Sequence, residues 1–406
     1  MRRTGCAACG YDDLEPILDL GTSPIADAYT LTRRELSERY PLQLAVCTGC
    51  WLVQLLEVVD PVILFGSGYS FYSSASAPLS AYQQAYAAQV LTSHGALAKR
   101  LTVEIGCNDG DLLRHFGDAG CEVLGVDPAR GPVNKAKGRG LHVWSVAFDE
   151  LIGEEICDEI GAAGVVVANH VLAHVESVAD VLAGIRKVLA PDGVAYIEVQ
   201  YLPDLLVNNA FDLVYHEHRN FFSLTNLESA LNRWGLHVID AELTDRQGGS
   251  LRVQAVREAP TSGPTFRTRQ IKGSETWLRD VAAYRGFQGR AERIRTRLLD
   301  IITDTADGPN DVVMGYGAPA KATTLLNFCD LTFPTITEVT DTTTAKQGRY
   351  IPGTGIRIIE PGRLPDPDVI ALVLAWNYAP QILRHELAHT SAGGRWIIPF
   401  PAPVLL

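Results

Sequence analysis

At 406 residues with 47% hydrophobic side chains, the chain is long enough for two or three domains, each with its own core. A net charge of -12 excludes a protein that grips the phosphate backbone of DNA or RNA, which requires a basic surface. No apolar run reaches the length of a membrane span and residues 1–10 lack the apolar stretch of a secretion signal, so the sequence predicts a cytosolic protein whose eight cysteines serve metal or lie as buried thiols.

The first element is a small metal module. Cys6-Ala7-Ala8-Cys9-Gly10 and Cys47-Thr48-Gly49-Cys50 form two C-x2-C pairs, and each such turn presents two thiolates to one tetrahedral zinc. The interval between the pairs exceeds the usual fifteen to twenty residues and leaves room for a short hairpin or loop around residues 18–29. Four thiolates leave no open position for substrate, so the predicted zinc is structural; the plainer alternative is four reduced cysteines. Residues 65–86, FGSGYSFYSSASAPLSAYQQAY, follow. Their clustered hydroxyls either face a polar substrate or belong to a loop that leads into an amphipathic helix around residues 80–94.

Residues 101–113, LTVEIGCNDGDLL, read as a buried strand, a glycine turn and the start of a helix. A second apolar strand, CEVLGVD, ends on Asp127, where an acidic side chain reaches ribose hydroxyls in dinucleotide folds. The turn is not G-x-G-x-x-G, and Glu104 and Asp109 would repel a pyrophosphate. They suit S-adenosylmethionine, which carries a sulfonium, an ammonium and no phosphate. Gly106, Asp109, Asp127 and Glu104 are therefore candidate cofactor residues, against the alternative of an ordinary α/β turn. Further strands at 165–168 and 193–199 flank a helix at 175–189, giving a doubly wound sheet. Asn169, His170 and His174 follow one strand and residues 198–201 end another, so they fall near the cofactor at the carboxyl ends. His174 taken alone also fits a structural histidine.

The densest group of chemical side chains is Tyr215-His216-Glu217-His218, between Asp212 and Asn220. Extended, the segment points Tyr215 and Glu217 one way and the two histidines the other; helical, it brings Tyr215 and His218 together. The residues are too tightly spaced to share one metal ion from regular structure, so general acid or base work by one histidine is the expectation. Gln247-Gly248-Gly249-Ser250-Leu251-Arg252 precedes a short strand, and residues 258–264 read as a linker. Residues 265–307 carry a long helical pattern. Strands at 312–316, 369–374 and 396–399 with a helix at 323–328 then build a second α/β domain. Its turn, Gly315-Tyr316-Gly317-Ala318-Pro319-Ala320-Lys321, either holds a diphosphate through backbone amides and Lys321 or binds nothing.

Over nearly its whole length the chain resembles the nucleotide-sugar C-methyltransferases, which methylate carbon 3 of a 4-keto deoxysugar on a thymidine diphosphate carrier. The resemblance is carried by the two CxxC pairs, VEIGCNDGDLL, ANHVLAHV, YHEHRNFFS, GGSLRV, GYGAPAK, DTTTAKQGRYIPGT and AWNYA. It implies an α/β chain of three parts: a zinc-binding module over 1–75, a doubly wound S-adenosylmethionine domain over 76–258, and a Rossmann-like domain over 259–406 that binds the sugar nucleotide without a nicotinamide. It also implies that His218 is the base, with Glu217, Tyr215 and a tyrosine of the FGSGYSFYSS segment, Tyr69 or Tyr72, near by; His174, after its strand end, is a further catalytic candidate. Asn377, within AWNYA, joins Lys321, Gly315 and Gly317 as a candidate for the sugar nucleotide, and Asn169 joins the cofactor set. Two other classes compete: a dinucleotide-dependent sugar oxidoreductase or epimerase, which would want G-x-G-x-x-G, and a non-catalytic zinc module, which gives no reason for Tyr-His-Glu-His.

Overall fold

The computed structural model describes residues 1–65, 72–245, 248–306, 308, 311–362, 364 and 368–406. Tyr69 and Gln247 lie outside the described residues. The chain opens with β1 (Leu14–Pro24) and β2 (Arg39–Cys47), paired antiparallel so that Leu14 faces Cys47 and Pro24 faces Arg39, with β3 (Val53–Leu55) on the other edge of β2. Instead of a short hairpin near residues 18–29, the two strands are long and residues 25–38 form the excursion between them. Ile17, Leu18 and Leu20 on β1 and Leu42 and Leu44 on β2 supply the apolar contacts that make the longer pairing favourable.

The central sheet contains β4 (Thr102–Ile105), β5 (Val123–Val126), β6 (Val143–Trp144), β7 (Ala163–Asn169) and β8 (Leu189–Gln200), all parallel. Helices cover both faces, so β4 and β7 are buried along almost their whole length and read as unbroken apolar runs rather than alternating ones. The next strand, β9 (Asn220–Phe221), leaves this sheet and pairs with β3. β10 (His237–Thr244) and β11 (Ser250–Val256) then return as an antiparallel pair on β8, giving the order β10-β11-β8-β7-β4-β5-β6. The winding reverses between β4 and β7, which opens a crevice at their carboxyl ends. The helix expected at 175–189 spans Val178–Val188, because the Ser177 hydroxyl accepts from the Asp180 N–H and starts it there.

The third sheet holds β12 (Val312–Tyr316), β13 (Glu338–Thr340), β14 (Arg357–Ile359), β15 (Val369–Val373), β16 (Arg395–Ile398) and β17 (Val404–Leu405), in the order β14-β13-β12-β15-β16-β17. It is parallel except for β17. The long helical pattern of 265–307 is broken into Phe266–Ser274, two 3-10 turns and Phe287–Thr305. The buried Glu275 carboxylate is drawn out to accept the Leu224 and Thr225 N–H groups at the start of another helix, and Gly286, at φ 84, restarts the helical run. The module of β1–β3 keeps a small cluster of its own, Ile25, Val59 and Leu64 with Tyr40 against it, and shares the rest of its core. Its strand faces pack in one cluster with the third domain, and its cysteines pack in another with the central sheet.

Candidate active site

Each C-x2-C pair closes a tight turn. Gly10 N–H donates to the Cys6 carbonyl at 2.9 Å and Trp51 N–H to the Cys47 carbonyl at 2.8 Å. The residue after the second cysteine is left-handed in both, Gly10 at φ 74 and Trp51 at φ 66. The four Sγ atoms lie within 4.8 Å of one another, with Cys6 to Cys50 at 3.5 Å and Cys9 to Cys47 at 3.6 Å. A tetrahedron with Zn–S bonds of about 2.3 Å has edges of about 3.8 Å, so the cluster fits zinc.

At the crevice, Gly106, Asn108 and Gly110 all take positive φ, which folds β4 sharply back into the helix Asp111–Asp118. A side chain at 106 would meet Val171 Cγ2 at 2.4 Å. Asp127 ends β5 with its Oδ2 accepting from the Asn108 N–H at 2.9 Å and its Oδ1 from the Ala129 N–H at 2.7 Å. Each oxygen keeps a second lone pair for a hydroxyl. Glu104 is buried beneath the turn, pushed well above the usual carboxylate range by burial and then by Asp127. Asn169 accepts from the Tyr86 hydroxyl at 3.3 Å. Asp109 is turned elsewhere: its carboxylate accepts from Ser73 and Ser74 and pairs with Lys135 at 2.8 Å, fastening the approach to the helix Ala77–Ala98 onto the turn. Tyr72 lies with that approach, near Lys135.

The segment 211–222 is a series of turns between two domains. His218 N–H donates to the Tyr215 carbonyl at 2.9 Å, so the two side chains come together as in a helical turn, their rings 4.0 Å apart. His218 Nδ1 lies 3.0 Å from the Leu213 carbonyl, which can only accept. The hydrogen is therefore on Nδ1, and the Nε2 lone pair accepts from the Tyr215 hydroxyl at 2.8 Å. Burial, followed by the charge of His174, pushes His218 well below the ordinary imidazole range. His174 packs 5.2 Å from His218 and donates from Nδ1 to the Glu217 carbonyl at 2.7 Å; burial pushes it down to about 4. His216 points away, donating to the Pro41 carbonyl at 3.2 Å and packing on Tyr40. The Glu217 carboxyl makes no hydrogen bond among the described residues, and burial, then Asp27, pushes it up to about 8.

In the third domain Gly317 takes φ 81, and a Cβ at Gly315 would strike Val339 and Leu374. Lys321 is 6% exposed, so it does not stand open at the turn. Its Nζ donates to Asn377 Oδ1 at 2.7 Å, lies 3.9 Å from Asp212 Oδ2 and sits over the Trp376 ring. Burial pushes Asp212 up and Lys321 down.

Sequence reading passed over Asp341, Asp27 and Tyr29. Asp341 repeats the bonding of Asp127, accepting from the Ala318 N–H of the glycine turn at 2.7 Å and from Thr343 N–H at 2.8 Å. Its signal was present as an acid ending the strand after a glycine turn. Asp27 and Tyr29 reach the third domain from the excursion of the zinc module, where Tyr29 donates to the Ala318 carbonyl at 2.9 Å. No local pattern announces that contact.

Three family descriptions match in chain order: a zinc binding domain over residues 6–65, a methyltransferase domain over 82–241 and a C-methyltransferase C-terminal domain over 245–401. The C-methyltransferase NovU of Streptomyces niveus is 35% identical over 407 aligned residues, covering 98% of this chain and 96% of that protein. A ubiquinone biosynthesis O-methyltransferase of Methylococcus capsulatus is 29% identical over 113 residues, 27% of this chain and 46% of that one. Among solved structures, magnesium protoporphyrin IX methyltransferase from Synechocystis PCC 6803 with bound SAM aligns at a TM-score of 0.35 and 15% identity, over 48% of this chain and 88% of that one. The likeness to NovU, over nearly the whole length of a C-methyltransferase, replaces the oxidoreductase alternative. The chain belongs to the S-adenosylmethionine-dependent C-methyltransferases that carry an N-terminal zinc-binding module.

Proposed function

We propose that this C-methyltransferase acts at carbon 3 of a 4-keto deoxysugar carried on thymidine diphosphate, by way of an enolate. The observation that carries this reading is the Tyr215–His218 couple, a buried imidazole with its hydrogen fixed on Nδ1 and a phenol on its lone pair. The sugar, its carbon and its carrier are supported by the motif resemblance.

A carbon beside a ketone becomes a nucleophile when a base removes its proton and donors hold the developing oxygen charge. His218 is neutral and oriented, so it serves as the base once the substrate displaces the Tyr215 hydroxyl from Nε2. Tyr215 then donates to the ketone side, Tyr69 is assigned as a second donor, and Glu217 and His174 enclose the reacting carbon. When bound, S-adenosylmethionine supplies the electrophilic methyl group. Asp127 and Asn169 would hold it over Gly106, with Glu104 beneath the turn and Asp109 bracing it through Ser73, Ser74 and Lys135. Lys321, Asn377 and the backbone of Gly315 and Gly317 are assigned to the carrier diphosphate, for which Lys321 must leave its bond to Asn377.

The test is mass spectrometry on a panel of 4-keto deoxysugar nucleotides incubated with S-adenosylmethionine, with a single added methyl expected. His218→Gln should lower that transfer by roughly two to four orders of magnitude with both ligands still bound, while His216→Gln stays near wild type. The reverse outcome would move the base by two residues.

A further inference from the structure

His170 closes β7 at the crevice with φ 57, a left-handed conformation uncommon for a residue with a side chain and one that clusters at functional sites. Its N–H donates to the Glu198 carbonyl at 2.7 Å, and its Nε2 lies 3.2 Å from Glu198 Oε1. The other oxygen of that carboxylate accepts from the Tyr82 hydroxyl at 2.6 Å and from Arg252 Nε at 2.8 Å. Arg252 is in turn stacked on the Tyr86 ring and paired with Glu242. Burial alone would raise Glu198, but the His170 bond and the nearby charges outweigh it and hold the carboxyl at about 2.

An ionised carboxylate accepts only, so the hydrogen of His170 facing Glu198 is on Nε2. Nδ1 makes no hydrogen bond among the described residues, and the side chain is 23% exposed. His170 also lies close enough to act electrostatically on both His174 and His218. The imidazoles of one site thus have unequal surroundings: His218 is bonded to a carbonyl and a phenol, His170 to a fixed negative charge. A positive charge is balanced at 170 and unbalanced at 218. Environments that differ in this way separate an acid from a base.

We propose that His170, oriented by Glu198, is a second catalytic residue, which donates from Nδ1–H of its imidazolium to the ketone oxygen of the substrate. The role rests on the enolate reading above. The carbon-bound proton passes to His218 Nε2 while the C–H electron pair moves onto the ketone oxygen, where the His170 hydrogen bond receives it. The pair then returns to carbon and forms the new C–C bond as the S–methyl bond breaks, leaving S-adenosylhomocysteine. His218 afterwards loses its proton to water, and nothing is oxidised or reduced.

Enolate formation is read alone by exchange of the carbon-bound hydrogen in heavy water, with S-adenosylhomocysteine in place of the methyl donor and a 4-keto deoxysugar nucleotide that the enzyme methylates. Glycine accepts φ 57 without strain, so His170→Gly removes the ring and keeps the fold, which cofactor affinity by calorimetry confirms. Exchange in this variant should fall by about 10²–10³, the usual worth of one donor on an oxyanion. Asparagine places an amide nitrogen where Nδ1 stands and glutamine where Nε2 stands. His170→Asn should recover part of the loss and His170→Gln should not. Recovery by glutamine alone would reduce His170 to a strut on Glu198, and wild-type exchange in His170→Gly would remove it from the chemistry; either result overturns the proposal. Absence of exchange in the wild-type enzyme would instead overturn the enolate reading and this role with it.

Discussion

Glu217 stands next to His218, the proposed base, with both carboxyl oxygens unbonded among the described residues, a costly state for a charge and a tolerable one for a neutral acid. Below its unfolded value, near 4.3 in model peptides, the group is protonated in both states and its burial carries no charge penalty. Between that value and the folded value of about 8, the unfolded chain releases the proton while the native protein retains it, so stability is lost as pH rises through this window. At roughly 1.4 kcal/mol per unit, the loss is on the order of 4 to 5 kcal/mol by pH 8. Glu217→Gln is neutral throughout and should be close to wild type in urea unfolding at pH 4.5 but clearly more stable at pH 8. A gap that does not change with pH would show that Glu217 is ionised in the native protein. The chemical identity of this cluster was legible from the residue types, but the choice between His216 and His218 was not. Alternation and helical spacing give opposite pairings, and only the turn from Tyr215 to His218 sends His216 to Pro41 and leaves His218 against the phenol. The bracing bonds of Asp109 were hidden for a related reason: the serines that donate to it stand 35 and 36 positions earlier.

Strands that end on a glycine turn could be read nearly residue by residue, as β4 and β12 show, because an apolar β-branched run and its breaker are local signals. The break in residues 265–307 was hidden, since Glu275 is pulled from the helical run by a distant helix terminus. β9 was equally hidden. Two residues long, it joins β3 by pairing Phe221 with Val53 and Asn220 with Gln54, and so ties the turn of Tyr215 and His218 to the zinc module. Gln54 also accepts from the Ala7 N–H inside the first cysteine turn at 2.9 Å. The metal is therefore coupled to the position of His218 through one short strand. Purified protein should carry one equivalent of zinc by elemental analysis, because a structural zinc site contributes directly to folding. Cys47→Ser should lose that metal, the hydrogen-exchange protection of β2 and β3, and methyl transfer together. Well under one equivalent in untreated protein, with Cys47→Ser folding normally, would show that the cluster is not a zinc site.

Across the whole molecule, residues 211–222 touch the zinc module, the central domain and the third domain. Arg219 donates to the Val59 carbonyl and its N–H to the Ala173 carbonyl at 2.6 Å, while Thr324 donates to the Val214 carbonyl at 2.9 Å. The excursion of the zinc module closes the circle, with Thr30 bridged to Tyr350 and Thr323 donating to the Ala26 carbonyl. No sequence period reports such contacts, because they join positions far apart in the chain, 297 residues in the case of Ala26 and Thr323. At the seam between central and third domains, Lys321 meets Asp212, Trp376 and Asn377. Two roles for Lys321 compete: ligand for the carrier diphosphate, and countercharge for a buried aspartate. Removing one member of a buried pair leaves the other uncompensated, typically at about 3 to 5 kcal/mol, whereas replacing both is often neutral. Lys321→Met should therefore lower the melting temperature and raise KM for the sugar nucleotide, with KM for S-adenosylmethionine unchanged. Asp212→Asn combined with Lys321→Met should restore the melting temperature through their coupling but leave the sugar-nucleotide KM high, because the phosphate partner is still missing. If the double variant recovers both, Lys321 holds the domains together and the diphosphate is bound by other groups.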